Sequence, residues 1–193
     1  AYTKSSVGGK MGYPDVEANI IKQLKEGALI INYTGHGNST SWSDEHVLTS
    51  SQIQGYTYKH LPLWITATCD FTPFDSYQTS AGENVFLNEK SGGIALYTTT
   101  RVAYSSSNFN LNMRLLKKIF ERKDNGERLT LGEAIKETKQ DYNYLDRVRF
   151  MLVGDPALTL TFPEYGLKIT EINGQPVGDE TIEFKALERI TIK

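Results

Sequence analysis

The 193-residue chain carries a net charge of −2, with 39 % hydrophobic and 11 % aromatic residues. That is enough apolar side chain for a packed core and too much for a disordered chain. The mildly acidic balance leaves no basic footprint for nucleic acid, and no apolar run approaches the roughly 20 residues that cross a bilayer as a helix.

The length suits one domain, or one domain with a small appendage. The opening "AYTKSSVGGKMGYPD" begins abruptly and reads as the interior of something longer. Its Gly-rich "SVGGKMG" is no phosphate loop, since it lacks the Lys-Ser or Lys-Thr ending and no strand precedes it. "PDVEANIIKQLKEG" then puts Val16, Ile20 and Leu24 on one helical stripe and closes on Gly27 as a C-terminal cap. Buried strands are predicted over Ala28–Thr34, Pro62–Thr68 and Gly93–Thr99. Each is an apolar or β-branched run without strict alternation, the pattern of central strands covered on both faces. Shorter helices are expected in "EHVLTSSQIQG" and "GENVFLNEKSGG". Longer ones follow in "NFNLNMRLLKKIFERKDNG", whose basic residues form a solvated face, and "TLGEAIKETKQDYNYL", opened by a Thr130–Glu133 capping box.

Such alternation implies an α/β fold, a mostly parallel sheet with helices on both faces. After about Glu164 the pattern changes. "YGLKITEINGQPVGDETIEFKALERITIK" alternates, contains an Asn-Gly turn signal and shows no helix, so two or three antiparallel strands of a separate β-domain are predicted. The expected division is 1–164 and 165–193, with the chain cut at both ends.

In parallel sheets, reactive groups gather where strands end at their carboxyl edge. The first predicted strand runs into Gly35-His36-Gly37, and the second into Cys69-Asp70. If these strands are parallel neighbours, His36 and Cys69 emerge side by side. A free thiol, with a pKa of about 8.5, is mostly protonated at neutral pH, so a nucleophilic one needs such an imidazole. The Gly37 N–H, unobstructed by a side chain, could serve an oxyanion with the Cys69 N–H as second donor, and Gly35 would let the chain turn sharply. The plainer alternative is an ordinary strand–helix turn and a core-filling cysteine. Cys69 is the only cysteine, so no intrachain disulfide can form. Its placement opposite the histidine favours catalysis.

A strand ending in His-Gly followed by one ending in Ala-x-Cys resembles the caspase-like (clan CD) cysteine peptidases. "INYTGHGNSTSW", "TATCDFTPFD", "SAGENVFL" and "FMLVGDPALTL", in this order, resemble the gingipain family over roughly residues 10 to 163. "TCDFTPFD" with "SAGE" is most similar to one branch, the sortase (C-terminal signal peptidase) of the type IX secretion system. The resemblance implies a caspase-like three-layer sandwich followed by the start of a β-sandwich (Ig-like) domain. It implies His36 as general base and acid, Cys69 as nucleophile, and Gly37 with Cys69 as the oxyanion hole. Its substrates would be C-terminal sorting domains of secreted cargo, cleaved by acyl transfer to water or a sugar amine at the outer membrane, beside other secretion-system proteins. No cofactor is required, and no cluster supports the calcium found in related gingipains. The histidine's acidic partner and the S1 pocket would lie upstream of this chain, which would leave it inactive alone. Rival readings are a general secreted gingipain-like endopeptidase and a non-catalytic surface scaffold of the same fold.

Three further residues are candidates for substrate binding. Asp70 could orient His36 or bind a cation, or simply cap a turn. Arg101, after the third strand, could bind an anionic group or form a surface ion pair. Trp42 could wall the cleft or cover a core edge. Glu83 is expected to open a helix at its positive end. Asp155 reads as a turn residue, and His46, in an expected helix, and His60, before a strand, lack metal-ligand spacing with Cys69.

Overall fold

The computed structural model describes residues 4–7, 10–162, 168–178, 181, 183–185 and 189–193, in two compact units, 1–160 and 161–193. The first unit opens with β1 (Ser5–Val7), β2 (Lys10–Gly12), α1 (Pro14–Glu26) and β3 (Ile30–Thr34). It continues through β4 (Ser41–Trp42), β5 (Leu48–Thr49), α2 (Ser50–Gly55), β6 (Leu63–Ala67), α3 (Ala81–Leu87) and β7 (Ala95–Thr99). It ends with α4 (Ser105–Phe120), α5 (Leu131–Asp141), a 3₁₀ turn (Leu145–Val148) and β8 (Phe150–Val153).

The main sheet has the order β3-β6-β7-β8. β3, β6 and β7 are parallel, and β8 is antiparallel to β7. The fold is therefore α/β around a mostly parallel sheet, as predicted. Every residue of β6 and β7 is buried, which is why neither alternates. β3 differs from the central strand expected: it is the sheet's edge among the described residues, and Asn32 and Thr34 are exposed.

Two layers of helix enclose the sheet. Trp64 and Leu96 join Leu24 of α1, Ile53 of α2 and Val85 of α3 in one core cluster, against which Ile31 and Tyr33 pack. Side chains alternate along a strand, so Asn32 and Thr34 face the other way. There Asn112 of α4 donates to Asn32 Oδ1 (2.9 Å) and Thr34 Oγ1 (2.6 Å). α4 thus covers the second face, with α5 packed upon it.

Most helices start and stop on the signals in the sequence. Pro14 opens α1 and Gly27, at φ 106°, closes it. Thr130 and Glu133 form the expected box, the Glu133 N–H donating to Thr130 Oγ1 at 3.2 Å and the Thr130 N–H to Glu133 Oε2 at 2.9 Å. Thr130→Ala should cost about 1 kcal/mol in urea unfolding, the usual worth of an N-cap. α2 is shorter than expected because β5 pairs back onto β4, and His46, at φ 54°, sits in the turn between them rather than in a helix.

In the second unit, β9 (Glu171–Ile172) pairs antiparallel with β10 (Gln175–Pro176). Asn173 and Gly174 between them have φ of 51° and 79°, the paired positive values that an Asn-Gly hairpin turn needs. Ile172 also bridges to Ile192. Glu164 and Tyr165, where the new domain was expected to begin, lie outside the described residues.

Candidate active site

The β3–β6 ladder ends on the pair Thr34–Ala67, and the Gly35 N–H donates to the Ala67 carbonyl at 3.2 Å. Two residues further along each strand stand His36 and Cys69. Parallel neighbours run about 4.8 Å apart, so the two strands deliver both residues to the same carboxyl edge of the sheet. Both line one cleft of about 420 Å³, whose opposite wall is Ala103 with Ser105, Ser106, Asn108 and Phe109 from the start of α4. His36 is exposed and Cys69 half-buried.

The loop carrying His36 is fixed through its backbone. The His36 carbonyl accepts from Tyr33 Oη (2.9 Å) and from the Ser43 N–H (2.8 Å). Tyr33 stacks on Trp42 at 4.5 Å between ring centroids. Burial raises the Tyr33 hydroxyl above the ordinary phenol range, aided by the charges of Glu45 and Asp44, so it stays a neutral donor. Asn38 Oδ1 accepts from the Thr40 and Ser41 N–H groups, closing the turn. A Cβ on Gly37 would stand 3.0 Å from Thr68 Cβ and 3.1 Å from the Ser41 carbonyl, so glycine lets this loop lie close against the residue before Cys69.

The "SAGE" segment ties the two loops together. The first turn of a helix has N–H groups without intrahelical partners. In α3 the Ala81 N–H donates to the Ser39 carbonyl of the histidine loop (2.7 Å), and the Gly82 N–H to the Phe71 carbonyl of the cysteine loop (3.1 Å). Ser80 and Glu83 complete a capping box, so Glu83 opens the helix as expected. A Cβ on Gly82 would fall 1.9 Å from Thr72 Oγ1, which sits in a buried hydroxyl chain through Thr98 to Thr66. Gly82→Ala should therefore destabilise the chain by about 1–3 kcal/mol, as overpacking does, read as a fall in the thermal midpoint.

After Cys69, Asp70 takes the left-handed conformation at φ 46°, and its N–H meets the Arg101 carbonyl at 3.4 Å. The Cys69 thiol donates to the Ala103 carbonyl at 3.4 Å. The N–H groups of Gly37 and Cys69 donate to no acceptor among the described residues; Cys69 lines the cleft, whereas Gly37 is not among its lining residues.

The other candidates stand apart from the cleft lining. Trp42, only 3 % exposed, is core: it packs on Trp64 and Phe71 as well as Tyr33. Arg101 pairs with Asp75 at 2.6 Å on the surface, and that hydrogen bond holds the Asp75 carboxyl below its ordinary range. Asp70 is not among the residues that line the cleft. Asp155 Oδ1 accepts the Ala157 N–H (2.8 Å), a turn contact. His46 reaches Ser41 Oγ at 3.1 Å, and the His60 ring lies against Gly27. No group of three or more metal-ligating side chains occurs among the described residues.

Two features escaped the sequence reading. Asn108 and Asn112 are buried, one helical turn apart, within the stripe of Leu111, Leu115 and Ile119, and Asn108 Nδ2 donates to the Thr68 carbonyl at 3.4 Å. Two amides on an apolar stripe were the available signal. Asp146, 1 % exposed, belongs to no motif and left none.

Residues 1–161 match the model of peptidase family C25. No curated protein sequence matches the chain. Among solved structures, the Arg-specific cysteine proteinase gingipain R is similar at a TM-score of 0.64 and 20 % identity, over 75 % of this chain and 36 % of that one. The complex of Porphyromonas gingivalis RgpB pro- and mature domains gives 0.64 and 20 %, over 75 % and 37 %. A further protease gives 0.60 and 17 %, over 77 % and 41 %. The likeness is one of fold, the caspase-like α/β arrangement expected above, and the chain spans well under half the length of each.

Proposed function

The chain belongs to peptidase family C25, and from that premise we propose that Cys69 and His36 are the nucleophile and the general base of a cysteine peptidase. The observation that supports the proposal is that the parallel strands β3 and β6 lead into His36 and Cys69, which line one cleft. The Cys69 thiol gives its proton to His36 as the sulfur bonds to the scissile carbonyl carbon. The resulting oxyanion takes hydrogen bonds from the free N–H groups of Gly37 and Cys69. As the carbonyl re-forms, the C–N bond breaks and His36 returns the proton to the leaving amine, leaving a thioester on Cys69. Water or another amine then attacks the thioester, with His36 again taking the proton; the C–S bond breaks and the proton passes to the departing Cys69 sulfur, restoring the thiol.

Within this reaction class, the substrate we propose is the C-terminal sorting domain of secreted cargo, cleaved at the cell surface beside the secretion machinery. The support is the pairing of "TCDFTPFD" with "SAGE", together with the role of the SAGE helix in bracing both loops. The test is to incubate the protein with a passenger fused to a C-terminal sorting domain and an added amino sugar, then weigh the products. One cut at the domain junction, with the sugar's mass on the passenger, supports the sortase. One cut by water supports a sorting-domain peptidase without transfer, and scattered hydrolysis supports a general endopeptidase. Products unchanged by Cys69→Ala would overturn the assignment of Cys69 as nucleophile, and no cleavage at all would favour a scaffold.

A further inference from the structure

The loop between β7 and α4, residues 100–104, touches the nucleophile and the residue after it. Its Arg101 carbonyl accepts from the Asp70 N–H, and its Ala103 carbonyl from the Cys69 thiol. Ala103 is itself buried. The same loop is gripped from behind. The Arg149 carbonyl accepts from the Thr100 N–H (2.8 Å) and Thr100 Oγ1 (3.1 Å). The Arg149 guanidinium donates to the Val102 carbonyl and lies 5.6 Å from the Tyr104 ring centroid. Asp146 Oδ2 accepts from the Tyr104 N–H at 2.9 Å, and Oδ1 pairs with Arg149 Nη1 at 2.9 Å. A carboxylate this deeply buried is seldom found unpaired, and Arg149 is its partner.

The residues so held flank Ala103 on both sides. Its carbonyl is thus presented rigidly to Cys69 Sγ and takes the thiol's hydrogen bond. Among the described residues the thiol has no other hydrogen-bond partner and makes none to His36. We propose that Asp146 and Arg149 are positioning residues that act through the Ala103 carbonyl, parking the Cys69 thiol on the backbone so that it engages His36 only when this loop shifts. The inference rests on the His36–Cys69 assignment above.

The test is the rate of Cys69 alkylation by iodoacetamide at neutral pH, read by intact mass. It compares wild type, His36→Ala, Asp146→Asn and the double variant His36→Ala/Asp146→Asn. Asp146→Asn keeps an acceptor for the Tyr104 N–H but drops the charge that holds Arg149. It should label about 2- to 10-fold faster than wild type, the equilibrium worth of one hydrogen bond. The gain should vanish when His36 is absent, because the freed thiol is activated only by the imidazole. If Asp146→Asn does not fold, Asp146→Asn/Arg149→Gln removes the ion pair whole, leaving no lone buried charge, and serves in its place. A rate at or below wild type overturns the inference. So does a gain that persists without His36, which marks mere exposure of the thiol. His36→Ala labelling as fast as wild type is a separate failure: it removes the dyad on which the inference stands, and it is read without any Asp146 variant.

Discussion

His36→Ala is expected to lower peptide turnover by about 10²–10⁴-fold, the contribution of a positioned general acid–base group, while leaving the urea midpoint in place. The two readouts separate because the histidine's structural and chemical parts are separate. Its carbonyl, not its ring, takes the bonds from Tyr33 and Ser43 that fix the loop, and alanine keeps that carbonyl. The imidazole itself is exposed at the cleft and adds nothing to the core cluster. Parallel measurement of turnover and urea unfolding checks both halves. Equal loss of stability and activity would mean that His36 holds the loop rather than moves a proton.

The largest stability effect is expected at Trp64→Ala, about 3–5 kcal/mol by urea unfolding. Trp64 is wholly buried in β6. Its ring centroid lies 5.5 Å from that of Trp42, and Nε1 donates to the Gly92 carbonyl at 3.1 Å. Gly93 is held so near that a Cβ there would come within 2.6 Å of the indole. Alanine would leave a void between α1, α2 and α3 that this crowded surround cannot close. β6 leads into Cys69, so alkylation of Cys69 should become less dependent on His36 in the same variant. By contrast Leu87→Ala, at a side chain 65 % exposed, should stay within about 0.5 kcal/mol.

How far the sequence could be read depended on whether a residue's task was local. β6 and β7 announce themselves because strands buried on both faces must be apolar throughout. The capping box at Thr130 and the Asn173-Gly174 turn are likewise set by neighbours in sequence. β3 misled because its outward residues, Asn32 and Thr34, satisfy a helix some eighty positions away rather than an apolar layer. α2 lost its first turn to the pairing of β5 with β4. β8 was not foreseen as a strand, since four residues with a single fully buried side chain carry no period.

The site divides in the same way. Glycine, histidine and the lone cysteine at equivalent strand ends were visible because the parallel ladder converts sequence position directly into place. Trp42 was not, since only the stack with Tyr33 and the contact with Phe71 show that it turns inward. Asp146 was hidden because its partners are a backbone N–H at Tyr104 and a guanidinium, and a backbone partner leaves no trace in the sequence.

The central claim is that Cys69 and His36 act as one unit, and intact-mass labelling with a peptidyl chloromethyl ketone tests it most directly. The predicted result is a single adduct on Cys69, formed faster than on a free cysteine, slowed by His36→Ala and absent in Cys69→Ala. An adduct formed at the rate of a free cysteine, and indifferent to His36, would contradict it.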